Sequence, residues 1–385
     1  MSEPWGRRSH DAVRGHDRPV LIVGGGPAGL ATALALARLE IASVVVERSA
    51  YDDRRLGEHL TPVGLLQLRA LDPGFAVSGV HGRSAGTTAY WGSETAGHTD
   101  YFLHPGQHGL NLSRPHFDAD LARAAESVGA KILRSASLRS AVRSQVGWQA
   151  QMDRDGGTDD ISAAFIVDAT GRPATFSRQQ GAEIQAHDRQ VAVATFWDCA
   201  DEAGANTRSL IETVEDGWWY CAPIGPTRRM CMFVTDDDLL PRGPERDLRG
   251  WWLDQLARTV HMCCLLQGVA PASEFITRSA RSQCLDIVVG SGWLATGDAA
   301  MAFDPLASQG IVKALDHGQR AAVAIAAHLN GDDATLATYA LDLKREYSAF
   351  QNTRTRYYGM ERRWPRSIFW SRRDAGIASH SARAP

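Results

Sequence analysis

Lysine is scarce in this chain of 385 residues: Lys131, Lys313 and Lys344 stand against 38 arginines, so a step that needs a lysine amine has three positions to draw on. The cysteines, Cys199, Cys221, Cys231, Cys263, Cys264 and Cys284, make no C-x-x-C pair and no Cys/His spacing of a zinc site, which suits a reduced, cytoplasmic setting. No apolar run reaches the ~18 residues of a membrane span, and residues 1–18 lack the apolar stretch of a signal peptide and read as a disordered leader. Neither sign of charge prevails. A net charge of -3 gives no global attraction to nucleic acid or to an anionic membrane, so neither is expected as a partner. Repeats and low-complexity tracts are missing. His98, His104, His108 and His116 crowd one region, but they do not share a helix and have no acids at ligand spacing, so no metal site is expected.

What is present begins with a short apolar run, Val20 to Val23, followed by the loop GGGPAG and an apolar helix, then a second strand ending at Glu47. Strand, G-x-G-x-x-G, helix, strand and terminal acid form a βαβ dinucleotide fingerprint. Gly24 permits the turn, Gly26 lets backbone approach a pyrophosphate, and Gly29 lets helix and strand pack closely. Pro27 and Ala28 open the helix, whose N-terminus offers free N–H groups to phosphate. Glu47, 21 residues after Gly26, is placed to accept hydrogen bonds from the adenosine ribose, with Arg48 beside it. The fingerprint alone does not separate FAD from NAD.

A second constellation lies about 250 residues later, GWLATGDAAMAFDPLASQGIVKALDHG. A strand ends in Gly297-Asp298, and small residues with Pro305 lead to Ser308, Gln309, Gly310 and a helix to Leu329. An FAD has a ribityl chain and an isoalloxazine ring beyond its ADP half. Asp298 can hydrogen-bond the ribityl hydroxyls, and the helix N-terminus can stabilise negative charge on the reduced ring. A third strand-to-glycine segment, FIVDATGRPATFSR, fits a sheet-terminal loop near the same nucleotide. Three such loops favour FAD over NAD.

The order GGGPAG, DATGR, GDAAMAFDPLASQG resembles the flavoprotein monooxygenase superfamily of aromatic hydroxylases, geranylgeranyl reductases and tryptophan halogenases. LGEHLTP (Leu56 to Pro62), DGWWYCAPIG and YYGMERRWPRSIFWSRR are similar to one branch, the flavoproteins that mature tryptophylquinone enzymes, such as lysine ε-oxidase and glycine oxidase. The resemblance implies an α/β fold: a Rossmann-like FAD lobe of the GR2, hydroxylase-like type, with an inserted antiparallel substrate sheet and C-terminal helices. The expected division is 19–74, 111–180 and 284–330 for the FAD lobe, 75–110 and 181–283 for the substrate lobe, and 331–385 for a C-terminal helical segment. It also makes Arg114 and Arg123, on a helix bordering the cofactor, candidates for the FAD diphosphate.

Only one dinucleotide fingerprint is present, so reducing equivalents are expected from transient NAD(P)H or a separate flavin reductase. The resemblance implies oxygen activation as a flavin C4a-hydroperoxide and hydroxylation of an electron-rich, indole-like ring, carried by a small molecule or a peptidyl tryptophan. Glu58 and His59 match the flavin-facing GExxxP loop, and His59 can move a proton near neutral pH. Trp218, Trp219 and Tyr220 are expected to wall the substrate cavity. Two rivals are open, an oxygen-independent flavin reductase or dehydrogenase and a halogenase. Halogenases in the superfamily use a lysine shortly after GExxxP, and Val63 to Leu110 contains none.

Overall fold

The computed structural model describes residues 18–373 apart from 54, 76, 155, 200–206, 226 and 244–246, so the leader expected over 1–18 falls almost wholly outside the described residues. The helices are α1 Pro27–Arg38, α2 Pro62–Leu71, α3 Arg114–Ser127, α4 Thr175–Gln179, α5 Leu248–Ala257, α6 His261–Leu265, α7 Gly310–Leu329 and α8 Ala334–Tyr358. None among the described residues is long and apolar enough to cross a membrane.

A six-stranded sheet gathers distant pieces of chain in the order Val289–Gly290, Trp293–Ala295, Phe165–Asp168, Val20–Val23, Ser43–Val46, Lys131–Leu133. All its neighbours pair in parallel except the first two. Strands in such a sheet are covered on both faces, which is why Val20–Val23 and Ser43–Val46 are continuous apolar or small runs, buried throughout. α1 is buried from Ala28 to Leu36. Its small residues let α7 come close: a Cβ on Gly318 would lie 2.6 Å from the Ala31 methyl and 2.7 Å from the Ala28 carbonyl oxygen.

The second large sheet has seven strands in the order Ile276–Ser279, Gln190–Asp198, Arg228–Asp236, Gly217–Pro223, Ser209–Val214, Gly86–Tyr90, Gly97–Asp100. It is antiparallel but for one parallel pair, Ser209–Val214 with Gly86–Tyr90. Side chains alternate between its faces. Trp218, Tyr220, Met230 and Met232 share one apolar cluster with Tyr358, Phe369 and Trp370 of the C-terminal segment. Trp219, Cys221 and Phe233 share another with Trp252, Leu256 and Met262 of α5 and α6.

The stretch from Leu248 to Leu265 forms two helices, with Arg258, Thr259 and Val260 between them. The break has a cause outside the segment: the Glu212 carboxylate accepts from the backbone N–H groups of Val260 (2.7 Å), His261 and Met262 (2.7 Å) and so starts α6 afresh. Three arginines of the C-terminal segment are paired internally: Arg372 and Arg373 bind Asp236, and Arg354 binds Asp304 and Asp188.

Candidate active site

Three loops at the strand ends of the parallel sheet meet. Gly24, at φ +110°, sits where a Cβ would lie 2.2 Å from the Ala169 carbonyl oxygen, so the GGGPAG and DATGR loops touch through a position only glycine fits. Gly297, at φ +61°, would press a Cβ within 2.5 Å of the Ala28 methyl, which brings the TGDAA loop onto the start of α1. Arg172 Nε lies 3.7 Å from Asp298 Oδ2, joining the second loop to the third.

Between them the structure leaves what an elongated anionic cofactor requires. α1 begins at Gly26 and α7 at Gln309 with no side-chain cap and no acid in the first turn, so both helix N-termini keep backbone N–H groups for a ligand. A Cβ at Gly26 or Gly310 would meet nothing within 4 Å. Ser308, a non-glycine residue at φ +50°, holds the turn before α7 in a left-handed conformation that is common at ligand clamps. Pro305 opens the 3-10 turn Pro305–Ala307, capped by Asp304 through Leu306 N–H at 3.0 Å. These residues fit an elongated anionic dinucleotide such as FAD.

The acids and arginines are engaged in ways the spacing did not show. Glu47 is buried, accepts from Gly25 N–H at 2.8 Å and from Ser49, and pairs with Arg55 at 2.7 Å. Arg55 reaches on to Asp118, a bridge absent from the sequence reading because it links residues 63 apart. Arg114 donates to the Leu56 carbonyl at 2.6 Å and grips Asp118, so it braces the loop before Glu58. Arg123 pairs with Asp120, its side chain largely exposed, and Arg48 is exposed. Asp298 contacts Lys313 Nζ at 2.7 Å. Burial pushes the Asp298 carboxyl up, but Lys313 and Arg172 outweigh it and the net shift is downward.

Facing the antiparallel sheet is a file of polar groups. Tyr101 Oη lies 3.2 Å from His59 Nε2, Ser209 Oγ 3.4 Å from His59 Nδ1, and Tyr220 Oη 3.3 Å from Ser209 Oγ. Sequence pattern had singled out His59 and Tyr220. Tyr101 and Ser209 carry no motif and join only through tertiary folding. Burial pulls the His59 imidazole down to about 4 and pushes the Glu58 carboxyl up to about 7. Glu58 Oε2 accepts from Gly57 N–H at 2.9 Å, while Oε1 is buried with no partner among the described residues, a vacant acceptor at the site.

The three aromatic candidates divide. Tyr220 ends the polar file. Trp218 lies on the same face, its indole N–H given to Tyr358 Oη at 3.0 Å. Trp219 is on the opposite face, stacked on Phe233 and edge-on to Trp252, away from the file.

Comparison with known proteins agrees with this geometry. A family model described as an FAD binding domain matches residues 17–349. The FAD-dependent oxidoreductase LodB of Marinomonas mediterranea is 30% identical over 370 residues, 94% of this chain and 98% of LodB. The flavin-dependent halogenase CmlS superposes with a TM-score of 0.85 at 24% identity, over 95% of this chain and 70% of CmlS, a likeness of fold. QhpG, a peptidyl tryptophan dihydroxylase essential for tryptophylquinone cofactor biogenesis, does so with a TM-score of 0.76 at 26% identity, over 93% of this chain and 79% of QhpG. With three glycine-bearing loops converging on two uncapped helix ends, and that match along most of its length, the chain belongs to the FAD binding domain family as an FAD-dependent oxidoreductase of the halogenase and hydroxylase type.

Proposed function

We propose that the protein hydroxylates an electron-rich aromatic ring, the indole of a tryptophan held in a polypeptide. The observation that carries this reading is the composition of the polar wall. Glu58, His59, Tyr101, Ser209 and Tyr220 offer carboxyl, imidazole and hydroxyl groups and no amine. Lys313 lies under Asp298, and Lys131 and Lys344 are exposed on a strand and on α8. A halogenase-type lysine has no counterpart in that wall. Likeness to QhpG supports the peptidyl form of the substrate.

When bound and reduced, FAD supplies the electrons that divide O2 between substrate and water. The chain's own part is shelter and proton handling. Trp218 and the ring of Tyr220, both buried, help exclude water, while the Tyr220 hydroxyl belongs to the polar wall. His59, neutral at physiological pH because of its burial, links two hydroxyl groups through its two ring nitrogens and can pass a proton between Ser209 Oγ and Tyr101 Oη. Glu58, titrating near neutral pH, can hold or release a proton at Oε1. Reductant is supplied by a nicotinamide or a partner reductase.

The test uses FAD-loaded protein, a reductant, O2, halide and a tryptophan-containing peptide, read by mass spectrometry. The expected product has gained oxygen. A peptide that gains halogen instead replaces hydroxylation with halogenation, and oxygen uptake indifferent to the peptide overturns both.

A further inference from the structure

Lys313 is an ammonium in an unfavourable place. It stands in the first turn of α7, where the helix dipole opposes a cation, and it is 4% exposed, where desolvation opposes any charge. Burial accordingly pulls its pKa down, against the pull of Asp298. A residue needed only for packing at this position would be apolar. Instead Nζ donates to Asp298 Oδ1 at 2.7 Å and to the Met301 carbonyl, and it sits 4.6 Å from the centre of the Phe303 ring. Arg172 stands on the other oxygen of Asp298 at 3.7 Å. One carboxylate thus faces two cations and the positive end of α7, and Glu346, the further acid acting on Lys313, is itself held by Arg320 and His317, so beneath the loop Lys313 and Arg172 outweigh Asp298.

We propose that Lys313 is a positioning residue for FAD with two effects: it fixes the Asp298 carboxylate toward the ribityl hydroxyls, and it leaves surplus positive charge that favours the reduced flavin. Reduction brings two electrons and one proton to the ring and leaves it with one negative charge, so a nearby cation stabilises the product over the reactant. The inference rests on FAD binding alone and holds whichever group the enzyme transfers to its substrate.

The experiment is an equilibrium reduction of the FAD-loaded protein with dithionite against a reference dye, made on the wild type, Lys313→Met, Lys313→Arg and Asp298→Asn, with FAD dissociation constants measured in parallel. Lys313→Met is expected to shift the two-electron equilibrium about tenfold toward oxidised flavin, a fall of about 30 mV. Lys313→Arg keeps the charge and is expected to recover most of that shift. Asp298→Asn removes the opposing charge and is expected to move the potential the other way while weakening FAD binding. A purely structural role would lower affinity in these variants without opposite potential shifts. Unchanged potentials, or shifts of one sign in Lys313→Met and Asp298→Asn, overturn the proposal; if Lys313→Met does not fold, a wild-type potential in Lys313→Arg with no rise in Asp298→Asn does so as well.

Discussion

The two sides of the site are built from different materials. On the nucleotide side the surfaces left for a ligand are largely backbone, the open glycines at 26 and 310 and two uncapped helix ends, with Gly24 and Gly297 joining the loops behind them. On the sheet side they are side chains: Glu58, His59, Tyr101, Ser209 and Tyr220. Backbone recognition needs a fixed local geometry, so changes there are all-or-none. Side-chain recognition is spread over separate strands, so changes there are graded. The nucleotide side determines that a flavin is held, and the sheet side determines what is done with it.

The strongest way to break this contrast is at two glycines of one loop, Gly24 and Gly26. Gly26 has open space where a Cβ would go, whereas Gly24 has the Ala169 carbonyl at 2.2 Å. Gly26→Val should leave the fold intact and weaken FAD binding on the order of a hundredfold. Gly24→Ala should act on the fold itself, costing about 1–3 kcal/mol through its positive φ alone, with the clash in addition. Flavin titration together with thermal melts of the FAD-free proteins separates the two. Equal melting losses in both variants would mean that Gly26 is also structural.

On the sheet side, Glu58 gives a pH signature. Its folded-state pKa is raised from 4.5 to about 7, so its contribution to stability is fully present below about 4.5 and is lost as pH rises through 7. At about 1.4 kcal/mol per unit, the loss is about 3 kcal/mol. His59 works in the opposite sense. Its pKa is lowered from 6.5 to about 4, so its contribution is present above 6.5 and lost as pH falls through 4. The two slopes oppose each other between about pH 4.5 and 6.5, so Glu58→Gln should leave the His59 contribution alone and make the melting temperature rise with pH over that range more steeply than in the wild type. A variant with the wild-type slope would show that Glu58 ionises as freely in the fold as out of it.

Ser209→Ala cuts the polar file between His59 and Tyr220 without touching the nucleotide side. The expected result is unchanged FAD affinity and KM, with turnover reduced about tenfold or more and an altered pH profile. A rise in KM alone would make the serine a substrate contact.

This division also explains what could be read in advance. The βαβ unit, the DATGR loop and the GDAA loop are local patterns of strand, glycine and helix, so the cofactor was legible, whereas the contacts that join the loops, Gly24 with Ala169 and Gly297 with Ala28, are set by the fold. The polar file joins the strand residues 59, 209 and 220 with Tyr101 in the loop after Gly97–Asp100, and no periodicity ties Tyr101 or Ser209 to His59. Arg114 and Glu47 were visible as charged residues, and Arg114 pairs with Asp118 one turn along α3, yet the links from Arg55 to Asp118 and from Arg114 to the Leu56 carbonyl are set by how α3 meets the loop at 55–58. The break between α5 and α6 depends on Glu212, 48 residues upstream of Val260.

The finest contrast is between neighbours in one strand. Trp218 and Trp219 are both fully buried, and nothing in the dipeptide says which of them faces the site. Alternation along the strand sends one to each side. Trp218 donates its indole N–H to Tyr358 Oη, which in turn donates to Asp304 Oδ2 at 2.7 Å in the loop before α7. Trp219 Nε1 is buried with no hydrogen-bond partner among the described residues, so its polar atom contributes nothing to offset its own desolvation. Replacing either by phenylalanine removes similar volume, but only Trp218→Phe also removes a satisfied hydrogen bond and strips the Tyr358 hydroxyl of a donor. Trp218→Phe should be less stable than Trp219→Phe by about 1 kcal/mol, with its effect on FAD spectra the larger because the lost bond leads to Asp304. Denaturant midpoints of the two variants measure the difference. Equal midpoints with equal spectra would mean that the two faces of the sheet are equivalent, and that the wall facing the polar file is not built differently from the core behind it.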